Sequence, residues 1–361
     1  MNLYEFIAAL AAIPTVDGFE KRGSDRTRAL CTAYADGFFD GCETLPSGSL
    51  LFSRLCGKQG AKALVLDAHL DTIGFAVSEL CPGGFVKAAP LGGVDPLILP
   101  AAPVTLYGTK TLYGVFTSVP PHLAAKDSGS LKISDLYIDT GLSDTELEKA
   151  VSVGTPVGFA EPPVLLKNRV IASHSLDDKA CIAAVFHACR RLAKAGTFPA
   201  ETDVYVHLST GEEKSGAGGK TLLYARSSAG KSLAEADAAL VLDVNFARAP
   251  GVHDYEALAL GQGPGVSYSA TIKRAFTDFV VQTAEKHALP LQTVVEMRST
   301  GTNATQIHRG GIPCAVLSLP LANMHTYSEC VSLTDIETCA ELAANILTEF
   351  HLSDIGEVHF K

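Results

Sequence analysis

The sequence predicts an α/β protein, a central sheet with helices on its faces, interrupted by a small all-β insertion. Three observations carry this expectation. Short, continuous apolar runs rich in branched side chains recur at 62–67, 204–208, 238–243 and 314–319, as strands buried on both faces require. Helical patterns accompany them, with apolar positions at 181, 182, 185, 186, 189 and 192 within 178–195, and at 336, 339, 340, 343, 346, 347 and 350 within 335–350. Residues from about 76 to 165 follow neither pattern and alternate Gly/Pro turns with short strand-like pieces.

Taken in order, MNLYEFIAALAAI at 1–13 reads as a first helix rather than a secretion signal, because it has no basic start and Glu5 interrupts its apolar part. The strand at 62–67 runs into AHLDTIGF at 68–75. Turns PGG at 82–84 and GG at 92–93 punctuate the insertion, with TLYG at 105–108 and TLYGVF at 111–116 as strand pieces. SLDDK at 175–179 precedes the helix of 178–195, and STGEEKSG at 209–216 follows the strand of 204–208. The last helix would be capped by Thr334 or Asp335. No internal repeat, low-complexity tract or long linker interrupts the chain.

Composition narrows the function classes. With 361 residues and 47% hydrophobic content the chain can bury a large core, and its length suggests about two domains. The 29 basic and 39 acidic residues give a net charge of -10 with no Lys/Arg-rich stretch, which argues against nucleic acid as a partner. No apolar run approaches the roughly 20 residues of a membrane span. Nine scattered cysteines, an odd number without a C-x-x-C pair, fit reduced thiols and a cytoplasmic location.

The chemistry-bearing residues collect at strand ends. His69 and Asp71 follow the first strand at i, i+2 spacing, which sends both side chains to one face. Asp177 and Asp178 precede a helix, Glu212 and Glu213 follow the next strand, Asp243 ends another, and His325 follows the last. Each alone has an ordinary explanation: a surface pair, a helix cap, a turn residue. Together they place acids and imidazoles at the carboxyl ends of four strands, where open α/β sheets bind ligands. Buried charge there is costly without a counter-ion. Two histidines with several carboxylates and no cysteine suit Zn²⁺, Co²⁺ or Mn²⁺. Glu212 and Glu213 can share such a site only if the chain turns between them.

The order of these motifs resembles the tetrahedral-type, glutamyl or deblocking aminopeptidases, which are dinuclear metallopeptidases. AHLDTIGF at 68–75 is similar to the family's AHMDEIGF, and GVFTSVPPHL at 114–123 to its G-V-I-G-x-x-P-P-H-L. LYIDTG at 136–141, LDDKAC at 176–181, TGEEKSG at 210–216 and GTNA at 301–304 resemble L-x-I-D-x-G, L-D-D/N-R-x-G, Q-E-E-V-G and G-T-D-A. The resemblance implies a zinc-exopeptidase-like mixed sheet with helices on both faces, built from 1–71 and 166–361. It also implies an inserted β-barrel or PDZ-like oligomerisation domain at 72–165. It further implies two divalent metal ions per subunit, with His69 and Asp243 on one, Glu213 and His325 on the other, and Asp177 bridging. Glu212 would be the general base and Asp71 the acceptor that orients the His69 ring. Peptide substrates and a homo-oligomer, a tetrahedral dodecamer in the family's usual form, are the implied partners, with no nucleic acid and no membrane.

Departures are local. Thr72 stands for Glu, Lys179 for Arg, Cys181 for Gly and Asn303 for Asp, and Leu321, Ala322 and Asn323 replace an x-Arg-Tyr stretch ahead of His325. Rival readings are a deacylase or carboxypeptidase using the same ligands, a glycoside hydrolase, and a non-catalytic assembly homologue. A glycosidase needs its two carboxylates to face each other across a sugar at about 5 to 9 Å, which adjacent Glu212 and Glu213 serve badly. His122, His174, His207 and His253 are expected to be satisfied polar residues rather than ligands.

Overall fold

In a computed structural model of the chain, the described residues are 1–120, 122–123, 130–227, 230–255, 257–297, 299–353 and 355. Among them the main body is an 11-stranded mixed sheet. Its centre is four parallel strands side by side, Thr202–Ser209, Lys62–His69, Ala238–Phe246 and Cys314–Ala322. Antiparallel strands complete both sides: Leu50–Arg54 and Gly41–Thr44 on one, Glu329–Ser332, Val170–Ser173 and Val164–Leu165 on the other. Gly265–Ser269 also pairs with Cys314–Ala322 and carries Gln292–Glu296 on its far side.

Strand alternation explains why these runs are apolar throughout. Leu64, Leu66, Val206, Leu240, Leu242 and Leu317 enter one core, under the helices Leu3–Ala11, Leu176–Ala195, Arg274–Lys286 and Leu333–Glu349. The residues between them, Ala63, Val65, Tyr205, Ala239, Val241 and Val316, enter a second core closed by Leu222, Ala304 and Ile307 from two short helices. Each strand thus buries both faces at roughly 25 cal/mol per Å² of apolar surface removed from water.

The middle of the chain forms a closed barrel of the strands Gly74–Cys81, Phe85–Leu91, Ile138–Asp139, Thr111–Phe116, Pro103–Tyr107 and Pro156–Phe159. It has its own core of Phe75, Val86, Val104, Leu106, Phe116, Ile138 and Val157. The expected barrel motif at 114–123 includes Pro121, which lies outside the described residues. Val164–Leu165 pairs with Val170–Ser173 of the main sheet, so the chain rejoins that sheet just ahead of position 166.

One local expectation needs correction. The last helix starts at Leu333 and is capped by Ser332, whose side chain accepts from the Thr334 N–H. Asp335 lies inside the first turn and spends its carboxylate on the N–H groups of Gly261 and Gly263. No described helix is long and apolar enough to cross a membrane. No two of the nine cysteines are bridged.

Candidate metal centre

Sheet register builds the site. Ser209 is level with His69, and Val241 is level with Asp67, so Asp243 stands in the same row as His69 at the carboxyl edge. The first strand therefore ends in an imidazole beside a carboxylate from its parallel neighbour. On the other side, Gly211 adopts φ 77 and the chain enters a four-residue helical turn, Glu212–Ser215. This turn separates the two adjacent glutamates. The Glu213 N–H donates to Asp71 Oδ2 at 3.0 Å, and its carboxylate lies 3.4 Å from His325 Nε2.

Asp177 joins the two halves. Its Oδ1 lies 2.9 Å from His69 Nε2 and its Oδ2 lies 3.4 Å from His325 Nε2. Asp243 Oδ1 is 3.9 Å from His69 Nε2. Two groups of potential ligand atoms result, each within 4.8 Å: His69, Asp177, Asp178 and Asp243 in one, and Asp177, Glu213 and His325 in the other. The structure thus gathers every residue expected as a ligand, with Asp177 common to both groups. Glu212 belongs to neither.

The supporting atoms differ from expectation in one respect. His69 Nδ1 is 2.9 Å from the main-chain carbonyl of Asp71, an acceptor only, so Nδ1 donates and Nε2 is left facing the carboxylates. The Asp71 carboxylate is not the ring's acceptor; it holds the Glu213 backbone instead. Sequence reasoning also missed Glu329. It is buried, and its two oxygens accept from the N–H groups of Asp177 and His325 at 3.1 and 2.9 Å, pinning both backbones at once. Nothing local marked it except its place four residues beyond His325. Asp178, expected as no more than a neighbour, accepts from the His69 N–H at 3.0 Å. The barrel reaches the site through Gly93, where a Cβ would stand 3.1 Å from His325 Nδ1. His174 Nδ1 pairs with Ser175 and His207 Nδ1 with Asp67, but His207 Nε2 is buried with no partner among the described residues, so His207 is not the fully satisfied polar residue expected.

Charge is badly balanced in the bare chain. Burial, reinforced by neighbouring carboxylates, pushes the carboxyls of Asp178, Glu213, Asp243 and Glu329 well up, and Glu212 up to about 7. Burial acts the same way on Asp177, but hydrogen bonds and charge from His325 and His69 outweigh it and hold its carboxyl low. His69 is raised against the effect of burial by Asp177, Asp178 and Asp243, and His325 is raised by its contact with Asp177. Asp178 Oδ1 and Glu213 Oε1 are buried with no hydrogen-bond donor among the described residues. Orphaned oxygens, the Nε2 atoms of His69 and His325 facing carboxylates, and one carboxylate common to both groups fit a pair of borderline divalent cations.

Comparison with known proteins agrees with this geometry. The chain belongs to the M42 glutamyl aminopeptidase family, whose profile matches residues 48–342. It is 31% identical over 305 residues to a lysyl aminopeptidase of Pyrococcus furiosus, covering 82% of this chain and 84% of that one. A TET aminopeptidase from a marine sediment Thaumarchaeota archaeon superposes with a TM-score of 0.84 at 27% identity, covering 96% of each chain. A Pyrococcus horikoshii TET1 peptidase, able to assemble into a tetrahedron or a large octahedral shell, shares the fold with a TM-score of 0.80 at 24% identity, covering 96% of this chain and 100% of that one.

Two outcomes follow from the site. Replacing Glu329 by Ala frees both pinned backbones and should weaken metal retention by about 10- to 100-fold, read as metal content after dialysis; wild-type retention would show the pinning to be dispensable. The second concerns pH. A carboxyl or imidazole whose pKa is raised by folding stabilises the fold below its unfolded value, and that contribution is lost as pH rises through the folded value. Every shifted group of the two candidate ligand groups, with Glu212 and Glu329, has that sign except Asp177, while the neighbouring His174, lowered by burial to about 4, opposes them. The metal-free chain should therefore lose thermal stability as pH rises from the ordinary carboxyl value of 4.5 through about 7, the value for Glu212. A melting temperature that held or rose across that window, measured in chelator, would contradict the charge balance described.

Proposed function

We propose that this M42 family member is a metal-dependent aminopeptidase that removes N-terminal residues from peptides. The observation that carries the reading is Asp177, whose two oxygens face separate His/carboxylate groups while Glu212 stays uncommitted beside them. His69 and Asp243 would hold one ion, Glu213 and His325 the other, and Asp177 both, with Zn²⁺ or Co²⁺ favoured and Mn²⁺ the next candidate. Bound there, the ions would supply Lewis acidity toward the scissile carbonyl and a water that loses its proton near neutral pH.

The chain's own residues do the rest. Glu212 belongs to neither ligand group, which leaves its carboxylate free to carry a proton. Its carboxylate takes the proton of the attacking water and passes it to the leaving amine. Asp71 fixes Glu213 through its N–H and the His69 ring through its carbonyl, and Glu329 fixes Asp177 and His325. These contacts hold the ligands in place before substrate arrives, which is where a preorganised site gains its rate.

The division into a catalytic body of 1–71 and 166–361 and an oligomerisation domain at 72–165 belongs to the same proposal, as does a cytoplasmic location. The barrel's outer face supports assembly: Tyr113 and Val115 on one strand and Tyr137 beyond the next are exposed large apolar residues. A homo-oligomer, in the limit a tetrahedral dodecamer, would cover them. A deacylase reading of the same centre rests on Ala322 and Asn323 at the approach to His325, where the motif it resembles has Arg-Tyr.

Aminoacyl chromogenic substrates, run beside acyl-amino-acid and cello-oligosaccharide substrates, decide among these. Activity on free amino termini should vanish with chelator and return with metal. Glu212→Gln should keep its metal yet lose roughly two orders of magnitude or more in kcat. Full activity in that variant would remove Glu212 from the mechanism. Assembly is read separately, as a light-scattering mass several times the 37.9 kDa of one chain; a monomer mass would exclude the oligomer.

A further inference from the structure

Asp71 has a second neighbourhood that the metal centre does not use. Its Oδ2 accepts from Glu213, but its Oδ1, on a residue with no exposed surface, has no hydrogen-bond donor among the described residues. Asp17 and Glu20 are buried beside it, and the three residues bring carboxylate oxygens within 4.8 Å of one another.

Backbone bonds hold that arrangement. The Asp17 N–H donates to the Thr72 carbonyl and the Thr72 N–H to the Thr15 carbonyl, both at 3.0 Å, stitching 15–17 to the residue after Asp71. Gly18, at φ 78, lets the chain turn back so that the Phe19 N–H reaches the Val16 carbonyl at 2.8 Å. Glu20 stands at the start of the helix Lys21–Tyr34 but makes no side-chain cap, so its carboxylate is not spent on the helix. The loop offers backbone donors to its own two acids, Gly18 to both and the Glu20 N–H to Glu20, but none to Asp71 Oδ1.

Positive charge nearby is insufficient. Lys179 is fully buried and feels Asp71 and Glu20, but its Nζ donates to Thr15 Oγ1 at 2.6 Å and forms no ion pair with the carboxylates. Lys214 acts on Asp17 from an exposed position. Against three carboxylates stand one buried ammonium and the His69 ring, whose Nδ1 is 3.9 Å from Asp71 Oδ1, so negative charge still exceeds positive, a costly arrangement in a region shielded from water.

We propose that Asp17, Glu20 and Asp71 bind a hard divalent cation, separate from the dinuclear centre, that clamps the 15–20 segment to the strand end carrying His69. The donor set is all oxygen, which selects Ca²⁺ or Mg²⁺ over the borderline metals of the His-containing groups. The spacing suits it: oxygens on opposite sides of a Ca²⁺ ion, at about 2.3 to 2.6 Å each, stand about 5 Å apart. Asp71 Oδ1 is then the cation's ligand while Oδ2 keeps the Glu213 N–H, so the clamp and the dinuclear centre share one rigid carboxylate. Burial, then the charge of Asp71, pushes the Asp17 carboxyl up, as expected of acids crowded together with too little positive charge.

Metal counting tests this with no appeal to activity. Chelator-stripped chain is reloaded with Zn²⁺, equilibrated with Ca²⁺ or separately with Mg²⁺ at millimolar concentration, desalted and measured by inductively coupled plasma mass spectrometry. The wild-type chain should carry about one equivalent of Ca²⁺ or Mg²⁺ beyond its zinc, with a higher melting temperature than without it. Asp17→Asn/Glu20→Gln should lose that equivalent and the melting response while keeping its zinc. Wild-type chain with zinc but neither hard cation, or a double variant that retains the wild-type amount, overturns the proposal. Where the double variant also sheds zinc, Glu20→Gln alone is judged by the same counts. Failure of the dinuclear reading would show in the zinc count, which is recorded independently of the calcium and magnesium counts.

Discussion

Crowding of buried carboxylates at one sheet edge is the constraint to which the rest of this structure answers. Asp177, Asp178, Glu212, Glu213, Asp243 and Glu329 share that edge, with His69, His325 and the buried Lys179 as nearby positive charge among the described residues. Ionised together and uncompensated, such groups would cost more than a single domain's net stability supplies. Some carboxyls must hold protons or cations must enter. The geometry favours cations, because the unpaired oxygens of Asp178 and Glu213 lie in the two groups that Asp177 joins, where coordination satisfies what hydrogen bonding does not.

The fold meets this constraint by making each ligand's backbone someone else's responsibility. Four parallel strands in register bring His69 and Asp243 level. The Glu213 backbone is held from Asp71, and those of Asp177 and His325 are held from Glu329. Ser175 and His325, flanking the site at φ 59 and 61, occupy the left-handed region that ordinary residues avoid, and the hydrogen bond from the His325 N–H to Glu329 helps keep one of them there. Holding the backbones, and the His69 ring only through Nδ1, leaves the Nε2 atoms and the carboxylates of Asp177, Glu213 and Asp243 facing the candidate ion positions.

Much of this was legible in the sequence because strands buried on both faces leave a long apolar signature, and because a functional edge collects polar residues just where that signature stops. The runs at 62–67, 204–208, 238–243 and 314–319 mark the four central strands, each within a residue or a few of its observed limits. What escaped detection depends on contacts distant in sequence. Glu329 looks like any acid opening a strand until its oxygens are seen on Asp177 and His325, the first 152 residues away. The cap of the last helix was misplaced because Ser332, Thr334 and Asp335 are all good caps by type, and only the strand ending at Ser332 selects among them. The role of Asp71 was misread because i, i+2 spacing fixes a face but not which atom, carboxylate or carbonyl, meets the ring.

Asn303 shows how the same charge constraint extends behind the site. It stands where the motif it resembles carries Asp, at the start of the short helix Asn303–Arg309. Its Nδ2 donates to Asp67 Oδ1 at 2.9 Å and to Ser209 Oγ at 2.7 Å, while its Oδ1 accepts from the Gly219 N–H. His207 supplies the second donor to Asp67, at 2.6 Å. All of these side chains are buried, so each acceptor needs a donor. A carboxylate at 303 would face Asp67 with no donor between them, adding a second buried charge two residues before His69. The amide converts that repulsive pair into a donor and an acceptor, and ties the ends of two central strands together in doing so. Negative charge is thereby confined to the edge, where cations can reach it, and kept out of the layer beneath.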